Sequence, residues 1–411
     1  MPTPIETKTI AHASACAPDP VGVVLTGGGA RGAYQVGVLS AINDILDPDR
    51  DPNYRNPFSI ICGSSAGSIN AAGLACHADK PHEGVDRLAS FWANVRSDMV
   101  FRADAWSLLH TGLRWLSTLG LGWLIPSLRQ GVPHSLLDNS PLRALLTDAL
   151  DFEQLSVNLR DKHLNALAVT ATAYTSGEHL TFYQSETQIV PWKRSLRRAI
   201  PCHIGVDHLL ASSSIPFVFP AQAMLVGGGT TWCGDGSMRQ LAPISPAIHL
   251  GAKKIVVIGT GHNDETYPED HEFNPPYPSL AQMGGHTLSN IFLDGVAVDI
   301  ERMERINSLL AELPLNALKN QSLRPVSAFT ISPSQSIGEI AVRHYHSIPK
   351  AARTLFRVLG VSAKSGPTTG GALISYLLFE SGFTQELIEL GRMDTMNRLE
   401  EVKAFFKEAS E

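Results

Sequence analysis

The sequence predicts an α/β protein: a three-layer α/β/α arrangement with a mainly parallel central sheet and a helical C-terminal extension. Three observations lead there. Short, mainly apolar runs, at Val21–Leu25, Phe58–Cys62, Leu164–Ala171, Lys254–Ile258 and Val326–Ile331, read as strands buried on both faces. Helical patterns separate them, as parallel strands covered on both sides require. The first two runs also end in glycine-rich turns that open onto helices.

The first twenty residues mix Glu6, Lys8, His12 and Asp19 with four prolines and lack an apolar run, so they read as a disordered leader and not as a secretory signal. Val21–Leu25 feeds Gly27-Gly28-Gly29, and Val36, Leu39, Ile42 and Leu46 recur at helical spacing across Gly32–Leu46. Pro48 and the acidic stretch to Asp51 close that helix. Phe58–Cys62 runs into Gly63-Ser64-Ser65-Ala66-Gly67 and a small-residue helix through Cys76. Leu209 to Gly234 has no charged residue over 26 positions, but Pro216, Pro220 and the Gly227–Gly229 run would break a membrane helix, so it reads as buried strands and turns. Tyr267–Pro278 is a Pro-rich surface loop, and helices are expected at Leu288–Leu310, Lys350–Leu359 and Phe383–Phe406. The last carries Phe383, Leu387, Leu390, Met393, Met396 and Leu399 as a core-facing stripe. The expected organisation is a leader over residues 1–20, a catalytic domain over 21–262, and a loop, an additional strand and helices over 263–411.

Composition narrows the function classes. Charged residues make up 18% of the 411, below the roughly 25% of ordinary soluble chains, so the surface should be unusually neutral or apolar. Thirty-three Lys+Arg against 39 Asp+Glu give a net charge of −6 with no long basic tract, which argues against a nucleic-acid partner. Cys16, Cys62, Cys76, Cys202 and Cys233 are widely spaced and form no C-x-x-C pair, so no disulfide framework or zinc site is written here. A reducing, cytoplasmic compartment is expected.

Gly63-Ser64-Ser65-Ala66-Gly67 matches G-x-S-x-G between a buried strand and a helix, the context that makes Ser65 a candidate nucleophile on a strained elbow. Acyl transfer also needs donors for an oxyanion, and Gly27-Gly28-Gly29-Ala30-Arg31-Gly32 can expose successive backbone N–H groups at a helix N-terminus. The same letters fit G-x-G-x-x-G, so a dinucleotide-binding loop competes, as does a purely structural turn. A dinucleotide site wants an acidic residue at the end of the second strand; Asp44, Asp47, Asp49 and Asp51 lie before that strand begins. Asp235, between Gly234 and Gly236 and directly after the uncharged segment, is a candidate base whose carboxylate would be poorly solvated; a simple Asp-Gly surface turn is the alternative.

In this order, the glycine loop, the serine elbow and Asp235-Gly236-Ser237, which lies 170 residues after Ser65, resemble the patatin-like phospholipase family. The resemblance spans about Val21 to Gly259 and includes Ala211-Ser212-Ser213-Ser214-Ile215-Pro216 and Leu250-Gly251-Ala252-Lys253-Lys254. It implies a serine acyl hydrolase with a Ser-Asp dyad: Ser65 as nucleophile, Asp235 as base, and the backbone of Gly27, Gly28 and Gly29 as the oxyanion hole. Ala30, Arg31, Gly32, Gly63, Gly67 and Gly236 complete the motifs, with Arg31 bracing the loop. The family commonly continues its aspartate as Asp-Gly-Gly or Asp-Gly-Ala; here Ser237 keeps the position small. The chemistry implies no cofactor and no metal, and an acyltransferase would differ only in its acceptor.

A histidine following the acid would complete a conventional triad, and His249, His286, His344 and His346 qualify by position alone. His344-x-His346 could also present metal ligands on one strand face, without a third ligand close in sequence. The resemblance implies a lipid ester substrate. Trp106, Trp115 and Trp123, among leucines with Arg114 and Arg129, suit an acyl channel, a peripheral membrane contact through Trp106–Leu128, or a helical cap. Trp192-Lys193-Arg194 with Arg197-Arg198 forms a basic cluster, either a solvated helix face or a contact for anionic headgroups.

Overall fold

Strands that carry apolar side chains on both faces need cover on both sides, and the fold supplies it. The computed structural model describes residues 19–102, 135–261, 277, 279–293, 295–314, 323–350, 353–354, 357, 361 and 370–407. The leader up to residue 18, the Trp106–Leu128 segment, nearly all of the Tyr267–Pro278 loop and most of the Lys350–Leu359 helix lie outside the described residues.

The strands are β1 (Val21–Leu25), β2 (Ile60–Ser64), β3 (Ala166–Ala173), β4 (His179–Gln184), β5 (Lys193–Arg194), β6 (Arg197–Pro201), β7 (Gln222–Val226), β8 (Gly229–Asp235), β9 (Lys254–Ile258) and β10 (Ser327–Ile331). They form one sheet in the order β10-β9-β1-β2-β3-β4-β6-β5. From β10 to β3 every pairing is parallel; β4 then runs antiparallel to β3. The hairpin β7–β8 joins through β8, which pairs antiparallel with β3.

The helices are α1 (Gly32–Leu46), α2 (Ala66–Cys76), α3 (Pro81–Asn94), α4 (Ser140–Ala149), α5 (Phe152–Arg160), α6 (Val206–Ser212), α7 (Ser245–Leu250), α8 (Leu280–Leu293), α9 (Gly295–Ala311), α10 (Ile337–Arg343), α11 (Ala372–Leu377), α12 (Ser381–Met396) and α13 (Leu399–Lys407). Strand alternation divides the core. Val23, Leu25, Ile61, Val169 and Val256 pack with α1, α2, α3 and α12 on one face, while Val24, Ile60, Cys62, Ala168 and Val257 pack with α7 and α9 on the other. The result is the three-layer α/β/α architecture.

The C-terminal region belongs to the same core. β10 extends the sheet edge, and α12 crosses α1 so closely that a side chain at Gly37 would overlap the Ile388 carbonyl and one at Gly391 the Tyr34 carbonyl. Tyr34 donates to Asp394 at 3.0 Å, and the Ser334 N–H reaches the same carboxylate at 2.9 Å.

Four local expectations need correction. Leu209–Gly234 begins in α6, and its strands form the hairpin β7–β8, exposed over most of its length because only β8's end is sheltered by β3. Helix in the Leu288–Leu310 stretch starts eight residues earlier, at Leu280, and is seen as α8 and α9 on either side of residue 294, which lies outside the described residues. The Phe383–Phe406 helix is two, and Met393 is 46% exposed, because only the Phe383, Leu387 and Leu390 side of α12 meets α1. The Trp192–Arg198 cluster lies on β5 and β6, not on a helix. Cys62, Cys76, Cys202 and Cys233 are free thiols.

Candidate active site

Ser65 sits where β2 gives way to α2, at φ 52° and ψ −128°. An L-residue rarely adopts this conformation, and it costs of order 1–3 kcal/mol unless neighbours enforce it. They do so here. Residue 63 has no room for a side chain because a Cβ would overlap the Gly67 carbonyl, and a Cβ at Gly67 would overlap the Leu25 carbonyl. The Ser65 N–H donates to Ser212 Oγ at 2.8 Å, and the Ser65 carbonyl accepts from the Ser68 N–H at 2.8 Å and its hydroxyl at 2.6 Å. The strand runs two residues beyond the expected Cys62, so Gly63 and Ser64 are paired, and the elbow starts from a fixed edge.

Asp235 arrives from β8. β2 occupies one edge of β3 only as far as Ser64, opposite Thr170; the next residue, Ala171, faces Asp235. One strand edge thus passes from β2 to β8 at the point where Ser65 leaves the sheet. Thr170 ties the junction, its hydroxyl lying 2.7 Å from Ser64 Oγ. Asp235 is 0% exposed, its N–H donates to the Ser214 carbonyl at 2.9 Å, and its Oδ1 accepts the Ser237 N–H at 2.8 Å. Oδ2 is buried without a hydrogen-bond partner, while the Ser65 side chain lies close enough to favour the charged carboxylate. Burial outweighs these contacts and pushes the Asp235 pKa up to about 6.

The glycine loop lies alongside. Gly29 has φ 55°, and a side chain there would overlap the Tyr376 carbonyl. The Gly27, Gly28 and Gly29 N–H groups donate to no acceptor among the described residues, whereas the Gly27 carbonyl accepts from Thr260 Oγ1 at 2.6 Å and the Gly28 carbonyl from the Arg31 N–H at 3.1 Å. Arg31 is buried; its guanidinium stacks 4.0 Å from the Tyr376 ring centroid and donates to Ser375 Oγ at 2.8 Å and the Thr260 carbonyl at 3.4 Å. Burial lowers its pKa from the ordinary guanidinium value. Ala30 and Gly32 are buried in the turn into α1, and Gly236 opens the turn after Asp235.

Ser65 and Gly29 both line a pocket of about 440 Å³, counting the space continuous with solvent. Its remaining wall is almost wholly apolar, with Ile69, Phe91, Trp92, Ile215, Phe219 and Phe379. Phe379 and Tyr376 come from the C-terminal region, and Ser212 from the segment before β7; nothing in the sequence marks Phe379, 314 residues from Ser65, as a wall of this cavity.

The candidate histidines lie elsewhere. Among the described residues, no histidine lines the Ser65 cavity. His249 stacks on Trp192 at 4.6 Å, and His344, at the C-terminal end of α10 and not on a strand, meets Glu386 at 2.6 Å. His346 lies in the short turn that follows, and His286 is on α8. His179 on β4 backs the Gly236 backbone, and burial pushes its pKa down to about 4. Of the acids invoked for a dinucleotide site, Asp44 pairs with Arg392 at 2.6 Å and Asp47 with His82 at 2.8 Å, while Asp49 and Asp51 are exposed.

Over residues 23–248 the chain matches the family model for patatin-like phospholipase. It belongs to the patatin-like phospholipase family. The family makes it a lipid ester hydrolase, a class that the serine, the aspartate and the apolar cavity all suit. Among solved structures it is similar to VipD from Legionella pneumophila, at 13% identity and TM-score 0.28, over 91% of this chain and 67% of that one. It is also similar to human GIVD cytosolic phospholipase A2, solved with methyl γ-linolenyl fluorophosphonate and terbium chloride, at 12% identity and TM-score 0.41, over 95% of this chain and 59% of that one. No curated protein sequence matches the chain. Among the described residues of this patatin-like phospholipase, no helix is long and apolar enough to cross a membrane.

Proposed function

We propose that this patatin-like phospholipase cleaves carboxylic ester bonds of phospholipids or related lipids through a Ser65–Asp235 dyad and an acyl-enzyme. The observation that carries the reading is the β3 register, which sets Asp235 beside the end of β2 and its carboxylate next to Ser65, on the wall of an apolar pocket. Asp235 accepts the Ser65 proton as Oγ attacks the ester carbonyl, and the N–H groups of Gly27, Gly28 and Gly29 donate to the oxyanion. Collapse of the intermediate expels the alcohol, which takes the proton back from Asp235. Water, deprotonated by Asp235, then attacks the acyl-enzyme; its collapse releases the fatty acid and restores the Ser65 hydroxyl.

Arg31 acts through the loop, its guanidinium being held on Tyr376 and Ser375 and not turned to the reacting atoms. The apolar wall from Ile69 to Phe379 receives the acyl chain. The free thiols of Cys62, Cys76, Cys202 and Cys233 suit a reducing compartment, and we place the enzyme in the cytoplasm, working at the membrane periphery. The test is hydrolysis of a medium-chain p-nitrophenyl ester and a phospholipid panel by wild type and Ser65→Ala, with fluorophosphonate labelling of both. Loss of labelling and turnover together is expected; retained turnover in folded Ser65→Ala would overturn the assignment.

A further inference from the structure

A second concave site lies on the opposite face of the sheet from Ser65. It is an open cleft of about 1510 Å³, including space continuous with solvent, bounded by β5, β6, α7, α9 and the segment entering β10. Arg194, Arg197, Arg302 and Arg324 line it with His249, and Asp299 is the only carboxylate among its lining residues. These arginines come from three separate parts of a chain whose net charge is −6, so their convergence is made by the fold.

None of the four guanidiniums makes an ion pair with a carboxylate among the described residues. Arg194 reaches only the Lys193 carbonyl at 3.2 Å. Arg324 is fixed at the rim by the Ile248 and Ala252 carbonyls, at 2.7 and 3.2 Å. Asp299, whose Oδ2 accepts the Ile244 N–H at 3.1 Å, can offset at most one of the four charges. The positive field is felt by its neighbours: after burial, Arg194, Arg197 and Arg324 help to lower the His249 pKa, and Arg197 and Arg302 oppose the rise that burial causes at Asp299.

Stacked rings back the cleft, and one wall is apolar. His249 stacks on Trp192 at 4.6 Å, Trp192 stacks on Tyr183 at 5.6 Å, and His249 Nδ1 lies 2.9 Å from the Ser245 carbonyl. Ile248, Met303, Ile306 and Leu323 supply the wall, with Ile306 and Leu323 exposed. Guanidinium forks match phosphate oxygens two at a time, and an apolar wall beside them accommodates a hydrocarbon chain.

We propose that this cleft binds the phosphate group of an amphiphilic phosphate ester, at a site separate from the ester-cleaving centre. The cavity beside Ser65 draws its wall from the other core layer, so occupancy of the cleft does not compete with substrate there. Phosphate presented by a bilayer headgroup and phosphate on a soluble ester would use the same arginines.

The experiment is titration of the full chain with sodium pyrophosphate and with oleoyl lysophosphatidic acid below its micellar concentration. Flotation with phosphatidylcholine vesicles, with and without phosphatidylglycerol, runs beside it. The variant Arg194→Gln/Arg302→Gln removes two exposed charges, and p-nitrophenyl ester turnover reports that it remains folded. Saturable binding that weakens about tenfold or more in the variant, and that falls with added salt, is the expected result. Binding of the soluble probes without the vesicles would identify a soluble phosphate ester; binding of phosphatidylglycerol vesicles alone would identify a bilayer headgroup. Arg194→Gln alone gives the same readout if the double variant fails to fold. The proposal is overturned if no probe binds, or if a folded variant binds them all as wild type does. Loss of turnover in Ser65→Ala leaves these binding results unchanged, so the two readings stand or fall separately.

Discussion

Replacing Asp235 by Asn separates what this side chain does for the reaction from what it does to the fold. The carboxylate is fully buried, and its pKa stands at about 6 against an ordinary 3.8. That gap corresponds to about 3 kcal/mol of differential stability between the protonated and charged forms. The sign follows from proton binding: between about pH 4 and 6 the folded protein holds a proton at Asp235 that the unfolded chain has released, so stability falls as pH rises through this window. Above it the charged carboxylate destabilises the native state by up to about 3 kcal/mol. The substituted amide would keep an oxygen to accept the Ser237 N–H and would remove the charge. Asp235→Asn should therefore be more stable than wild type at pH 8, with the advantage vanishing near pH 4. The same change removes the proposed base and should lower kcat/KM by about 10²–10⁴-fold. Urea unfolding at the two pH values and ester hydrolysis test both halves. Equal or lower stability at pH 8, or more than about a tenth of wild-type turnover, would refute the reasoning.

Wild-type kcat/KM should rise with pH through a single ionisation near 6, as the base must be unprotonated, and His179→Gln should leave that limb in place; a limb that disappears with a histidine would assign the base differently. Ser65→Gly should abolish activity while raising stability by about 1–3 kcal/mol through relief of the φ 52° backbone, measured against Ser65→Ala, which keeps the strain. Phe379→Ala should enlarge the apolar cavity, cost about 3–5 kcal/mol in thermal or urea unfolding, and shift kcat/KM towards longer acyl chains across a p-nitrophenyl ester series. Arg31→Lys should lose the stacking on Tyr376 and the Ser375 contact and destabilise by about 1–3 kcal/mol, with kcat falling more than KM rises.

Much of the site is a local matter and therefore legible in residues close together in the chain. The β-branched runs at Val21–Leu25 and Lys254–Ile258 form strands with the expected limits, and Gly32–Leu46 is a helix over its whole predicted span. Gly63, Ser65 and Gly67 encode the elbow because steric exclusion acts over a few residues: only hydrogen fits where Gly67 and Leu25 present their carbonyls. Helical periodicity was a weaker guide where a break or a one-sided partner intervened, as at Asn397 and at exposed Met393.

What the tertiary structure alone decided was non-local. Nothing between Ser65 and Asp235 shows that β2 stops at Ser64 and lets β8 take over the same edge of β3, because strand pairing depends on which edges are left open once the sheet assembles. The Asp235 pKa likewise depends on burial contributed by the surrounding fold, not on its flanking glycines. Phe379 and Tyr376 reach the site because α12 packs on α1 and carries the preceding residues over the glycine loop. The four arginines of the second cleft meet for the same reason: side chains far apart in sequence become neighbours only when helix and sheet faces bury their apolar surface together. The chain by itself specified strands, turns and the chemical types at each motif; long-range packing determined which of them share a site.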